Sequence, residues 1–170
     1  PSLGALAGMQ ASWKSAGRSE PLYANLFTLG CVLAPGERPT GKRALAQAGP
    51  LAAVLFHDLV ERSTLGEVMG ALPPYLSDAV GRYAELYKKY EPADARWLAV
   101  HRGHLMFLRP EEHQVCTAEP IRAVTITGTR SALRERLREL QGAGYTDFSI
   151  HIRHGHPGML EEWAEVIAGV

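Results

Sequence analysis

The chain lacks a charge excess of either sign: 18 Lys and Arg are balanced by 18 Asp and Glu across 170 residues. Without a basic face or stripe there is no electrostatic footprint for nucleic acid or for an anionic membrane surface, so neither is expected as a partner. No apolar run approaches the ~18 residues that a bilayer requires. The first residues carry no basic start and no apolar block, so no secretory leader is read there. Cysteine is scarce. Cys31 and Cys116 stand far apart in apolar or mixed surroundings, which fits buried free thiols in a reducing cytoplasm better than a disulfide or a metal pair. A nucleophile elbow, a phosphate loop, a paired-Cys metal motif and an ordered triad are all missing, and Ser149 has none of the flanking glycines of a hydrolase nucleophile. The chain opens on Pro1 rather than Met, directly into helix-like sequence, as expected of a processed protein or a piece of a longer one.

What is present is a strand–helix rhythm in a single domain over 1–170. In the last fifty residues Ala123 to Thr127 reads as a strand, Gly128-Thr129 as a turn, and Leu133, Leu137 and Leu140 as one face of a helix closed by Gly142 and Gly144. Asp147 to Ile152 reads as a second strand, followed by a His/Gly/Pro loop and a helix bearing Leu160, Trp163, Val166 and Ile167. Consecutive units of this kind predict parallel strands with crossover helices, and ligands gather at the carboxyl ends of such strands. Upstream, 3–16 predicts a helix and Tyr23 to Leu33 a strand. Thr40 is the expected cap of a long helix through Leu59, kinked or split at Pro50. A stretch of about fifty residues without a strand follows, an expected helical insertion at about 61–118. It holds a short helix at 64–72, another from Pro73-Pro74 through Tyr83, Tyr87 and Tyr90, a further one at Ala93 to Val100, and a polar loop at 109–118. The tyrosines, helically spaced, belong to a core or interface.

Three groups of residues can carry chemistry. Gly128-Thr129-Arg130 follows a strand and caps a helix, which is either a generic anion seat or an ordinary turn. His151, Arg153, His154 and His156 crowd one loop, as a polar wall of a site, an exposed loop or, less readily, metal ligands. His101 and His104 share a helical face, like half of a zinc site, but without the Glu beside the first His that a metalloprotease helix needs. They fit structural histidines or a substrate- or cofactor-facing pair. A metal-dependent hydrolase built on both histidine groups is a third possibility for the chain.

The run Glu119 to Thr129, the helix segment Leu133 to Leu137, Gly142 to Thr146, His101 to Met106 and the Asn25 to Leu33 strand together resemble the C-terminal half of the bacterial luciferase-like flavin-dependent oxidoreductases. The resemblance implies an α/β fold, the C-terminal half of a (β/α)8 TIM barrel with parallel strands and a helical insertion. It implies monooxygenation or hydride transfer on a small-molecule substrate with reduced FMN, or alternatively a reduced 8-hydroxy-5-deazaflavin. By the same resemblance Gly128, Thr129, His151, Arg153 and His154 would lie at the cofactor-binding mouth, and His101 and His104 would line it as proton-handling catalytic residues. A half-barrel exposes strand edges, so a missing N-terminal half or a homo-oligomeric partner is expected. The alternative is a non-catalytic half-barrel subunit or interaction module that lacks the cofactor site.

Overall fold

The computed structural model describes residues 3–61 and 72–170. Its centre is one extended segment serving two ladders. β1 (Asn25–Thr28) pairs in parallel with β4 (Asp147–Ile150), Asn25 opposite Asp147. After Leu29 alone, β2 (Gly30–Leu33) pairs in parallel with β3 (Ile126–Thr129), Gly30 opposite Ile126. The Thr28 carbonyl accepts from the His151 amide and the Leu29 carbonyl from the Ile126 amide, each at 3.0 Å. Successive carbonyls of an extended chain point to opposite sides. β3 and β4 therefore flank the central segment on opposite edges, although they follow one another in the chain. The fold is mixed α/β with short parallel strands, and the described strands do not close into a barrel.

The alternation of this segment separates two cores. Cys31 and Leu33 point to one formed with α2 (Lys42–Glu61), α3 (Pro74–Tyr87) and α5 (Ala118–Val124), around Phe56, Val80, Tyr83 and Ile121. Val32 points to the other, with Ile126, and this is closed by α1 (Leu3–Ser15), α6 (Arg130–Ala143) and α7 (Met159–Ile167) through Leu6, Leu137, Leu140 and Trp163. Gly30 is where backbone and helix come closest. A Cβ there would sit 1.9 Å from the Ile126 carbonyl oxygen and 2.9 Å from the Trp163 ring.

The C-terminal unit follows its sequence signals. Thr129 caps α6, its hydroxyl accepting from the Ala132 amide at 3.4 Å, and Gly144 closes the helix at φ 115°, a left-handed turn that a Cβ disfavours. The strand expected at Ala123 to Thr127 begins later. Ala118–Val124 is helical, because Pro120 is tolerated in a first turn and Ile121 buries its side chain completely. The Thr125 hydroxyl then donates to the Ile121 carbonyl at 2.6 Å as the chain turns into β3. The second strand is shorter than expected, ending at Ile150.

Upstream the differences are larger. The extended run from Tyr23 breaks into β1 and β2. Thr40 does not cap α2: the helix starts at Lys42, and the Gly41 carbonyl accepts its first bond, from the Leu45 amide. Pro50 neither splits nor ends it. Ala48, Gly49, Ala52 and Ala53 are buried around the proline, and this packing offsets the one lost backbone hydrogen bond. Gly49 is held against Leu108, whose Cδ1 lies 2.4 Å from where a Cβ would be. The expected helix at 64–72 falls almost wholly outside the described residues. The expected Ala93 to Val100 helix shrinks to α4 (Trp97–Val100), and the expected polar loop contains a 3-10 turn, Pro110–Gln114. Among the described residues between α2 and α5 there is no strand, and none of the described helices is long and apolar enough to cross a membrane.

Candidate functional site

The sequence pairs His101 with His104, and the structure adds a third imidazole. His101 Nδ1 lies 3.0 Å from His104 Nδ1. His57, from the last turns of α2, sets its ring 5.8 Å from that of His101 and 5.7 Å from that of His104. One ring nitrogen from each of the three falls within a 4.8 Å span. The segment that carries His101 and His104 is a run of tight turns after α4, with Gly103 at φ 78° and Leu105 at φ 58°. A positive φ at leucine is a sparsely populated conformation. It is held where the guanidinium of Arg153 donates to the carbonyls of Leu105 and Met106.

Beneath the histidines lies a buried charged network. Glu112 Oε1 accepts from His57 Nε2 at 2.7 Å, Arg109 Nη2 at 2.7 Å and the Tyr83 hydroxyl at 3.1 Å. Its Oε2 accepts from the Arg109 amide at 2.9 Å. Arg109 also donates to the Ala99 carbonyl and covers the Tyr90 ring at 4.7 Å. Burial alone would push the Glu112 carboxyl up, but hydrogen bonds from His57 and Arg109, with the Arg109 charge, outweigh it and hold the group down at about 2. The other nitrogen of His57, Nδ1, is buried with no hydrogen-bond partner among the described residues. On the solvent side of the cluster His101 Nε2 faces Glu61 Oε2 at 3.1 Å. Partial burial, then the neighbouring His101 and His57, lower the pKa of His104, which favours the neutral imidazole that binds metal or accepts a proton.

The remaining site residues of the sequence reading divide among separate places. Thr129 lies at a cavity of about 430 Å3 where β2 and β3 end, between the apolar wall of Val32, Leu33 and Pro35 and the polar start of α6, Arg130 and Ser131. Its cations already have partners: Arg43 bonds Glu37 and Glu162, and Arg130 pairs with Glu165. Gly128 faces a smaller cavity of about 200 Å3 beside Thr125 and Arg136. A Cβ on Gly128 would meet Ala132 and Leu133 at ordinary contact distances, so this turn does not demand glycine. Arg153, His154 and His156 line a third cavity of about 340 Å3 with Lys42, Met106 and His113. His151 packs against Phe27, ring centres 6.2 Å apart, on the face of the β1–β4 pair where Phe27 is 61% exposed. Its Nδ1 is buried and has no hydrogen-bond partner among the described residues.

Comparison with known proteins adds no relative. No family model, curated protein or solved structure matches the chain. The functional reading therefore rests on the residues themselves.

Of the residues that sequence singled out, only His101 and His104 meet one another at the histidine cluster. His57 carries no such signal, and Glu112 stands out only with Glu111 and His113 as polar residues near the His101–His104 pair whose geometry the sequence leaves open. His57 sits beside Asp58 in a mostly apolar helical window, and its charged partner is 55 positions away. The one local signal was the acidic pair Glu111-Glu112 close behind Arg109, which marks an ion pair without telling whether it is buried.

Proposed function

We propose that the chain is the part of a luciferase-like oxidoreductase that receives one side of a reduced flavin, FMN or alternatively the deazaflavin, together with a small-molecule substrate. The observation that carries this reading is the pair of parallel strands β2 and β3, whose carboxyl ends open on the 430 Å3 cavity beneath the capped start of α6. Parallel α/β sheets bind ligands at that end. The parallel β1–β4 pair, with Asn25 and Phe27 bare on one face, leaves a sheet face for a further part of the protein, or a second copy, to cover.

The residues present fit such a group in chemical type. Thr129, Arg130 and Ser131 offer hydroxyls and a guanidinium to an anionic substituent. When bound, the flavin supplies the hydride or electron chemistry. This chain's own part is to orient the group and to exclude water with Val32, Leu33 and Pro35. His101 and His104 stand at a separate place in the described residues, so a direct proton role for them in that chemistry has no geometric support.

A second reading, a non-catalytic half-barrel module, is favoured by one observation: the guanidiniums of Arg43 and Arg130 are already engaged by carboxylates. Titration of the chain with FMN and with the deazaflavin, followed by flavin absorbance and fluorescence, separates the two. The oxidoreductase reading expects a spectral shift that Arg130→Ala weakens. No shift with either compound overturns it in favour of the module.

A further inference from the structure

We propose that His57, His101 and His104 form a binding site for one first-row divalent cation of the zinc class, with its fourth position open to solvent. His57 Nδ1 is buried without a hydrogen-bond partner among the described residues, which costs free energy comparable to a lost hydrogen bond. Beside it two further imidazoles approach nitrogen to nitrogen at 3.0 Å, so at most one proton is shared between two ring nitrogens that each need a donor. A single cation satisfies all three lone pairs at once.

The donor set, three imidazoles, is borderline-soft, and this suits zinc, cobalt, nickel or copper rather than magnesium or calcium. With metal–nitrogen bonds of about 2.0–2.1 Å, tetrahedral ligands lie about 3.3 Å apart. The His101–His104 pair is already close to that separation. The 4.8 Å span of the three closes by rotation of His101 and His104, which sit on the surface turn, towards His57, which is fixed.

What fixes His57 is itself characteristic of metal sites. Its Nε2–H donates to Glu112, leaving Nδ1 as the ligand atom, and His101 Nε2 is turned towards Glu61, leaving its Nδ1. Carboxylates behind the ligating imidazoles set the tautomer and raise ligand basicity. Arg109 and Tyr83 in turn hold Glu112. Three protein ligands and a solvent-facing fourth position is the arrangement of a site that keeps an exchangeable water rather than a closed structural one. The inference does not depend on the flavin reading, and its test contains no flavin.

The test strips the folded chain with a chelator and titrates it with Co2+, whose visible d–d bands report tetrahedral nitrogen coordination, then displaces Co2+ with Zn2+ and counts bound zinc after dialysis. One equivalent of Co2+ is expected to saturate the bands, and zinc to abolish them. His104→Ala is expected to weaken binding about 100-fold and Glu61→Gln about tenfold, the loss typical of an outer carboxylate, while His154→Gln leaves the affinity unchanged. The far-ultraviolet circular dichroism of each variant verifies that it is folded. A folded chain that takes up no stoichiometric Co2+ overturns the proposal. So does binding that His104→Ala leaves intact, or binding that His154→Gln abolishes, since the latter would move the site to the 151–156 loop.

Discussion

The two cores that share the central strand are built on different principles. The one under α6 and α7 is almost wholly apolar, a set of leucines at helical spacing meeting Val32, Ile126 and Trp163. The one under α2 and α3 surrounds a carboxylate, a guanidinium, an imidazole and a phenol that satisfy one another out of water. An apolar core tolerates change in proportion to the volume removed. A buried ion network fails abruptly when one member is deleted, because a charge is left unpaired. The histidine cluster is attached to the second kind, and a buried acidic anchor is what gives it a fixed geometry.

The contrast can be broken most directly at Arg109. Arg109→Met strands the Glu112 carboxylate and is expected to cost about 3–5 kcal/mol in urea unfolding. The double variant Arg109→Met with Glu112→Leu is expected to be less destabilised than Arg109→Met alone. If the double variant loses as much as the sum of its parts, the charges stabilise the core beyond mutual compensation, and the contrast is misdrawn. In the apolar core Leu140→Ala removes a fully buried side chain and is expected to cost about 3 kcal/mol, with no partner substitution that rescues it. At the boundary, Thr129→Ala deletes the α6 cap for about 1 kcal/mol, measured as a shift in the thermal midpoint. Gly128→Ala beside it is expected to stay within about 0.5 kcal/mol, since the space for a Cβ is there.

The smallest effect concerns the thiols. Burial pushes Cys31 and Cys116 each up to about 12. The reactive thiolate is the deprotonated form, so at neutral pH almost none exists, and raising the pH towards 12 increases it. A thiol-disulfide reagent is expected to label neither cysteine in the native chain near neutrality and both in denaturant. Rapid native labelling of Cys31 would show that the face between the two cores opens easily.

The same division explains what the sequence reveals. The apolar core is written locally: Leu133, Leu137 and Leu140 lie within one helix, Thr129 and Gly144 bound it, and parallel pairing follows from the strand–helix order. What fails there is a boundary, at Ala123-Val124, where a helix and a strand compete for one apolar run and the burial of Ile121 decides. The ionic core is written across long separations. Nothing near Glu112 tells that its carboxylate meets a histidine on α2, and Pro50 reads as a break because the packing that holds α2 together comes from Leu108 and the opposite helices. For the candidate site the consequence is specific. His101 and His104 are visible as a pair by spacing, whereas the third imidazole and the carboxylate behind it depend on tertiary structure. The five residues expected at one cofactor mouth separate because the turn after β3 and the loop after β4 leave opposite edges of the same strand.

That shared strand also fixes the alignment of the whole molecule. Side chains alternate with a period of two, so sliding 25–33 by one residue would send Val32 to the ionic core and Cys31 and Leu33 to the apolar one. The slip would also have to break a ladder on each edge at once, against β3 and against β4. Gly30, with no room for a side chain between the Ile126 carbonyl and Trp163, admits only a residue of its own size at that point. The segment thus works as a key cut on four sides, and only one insertion fits the lock.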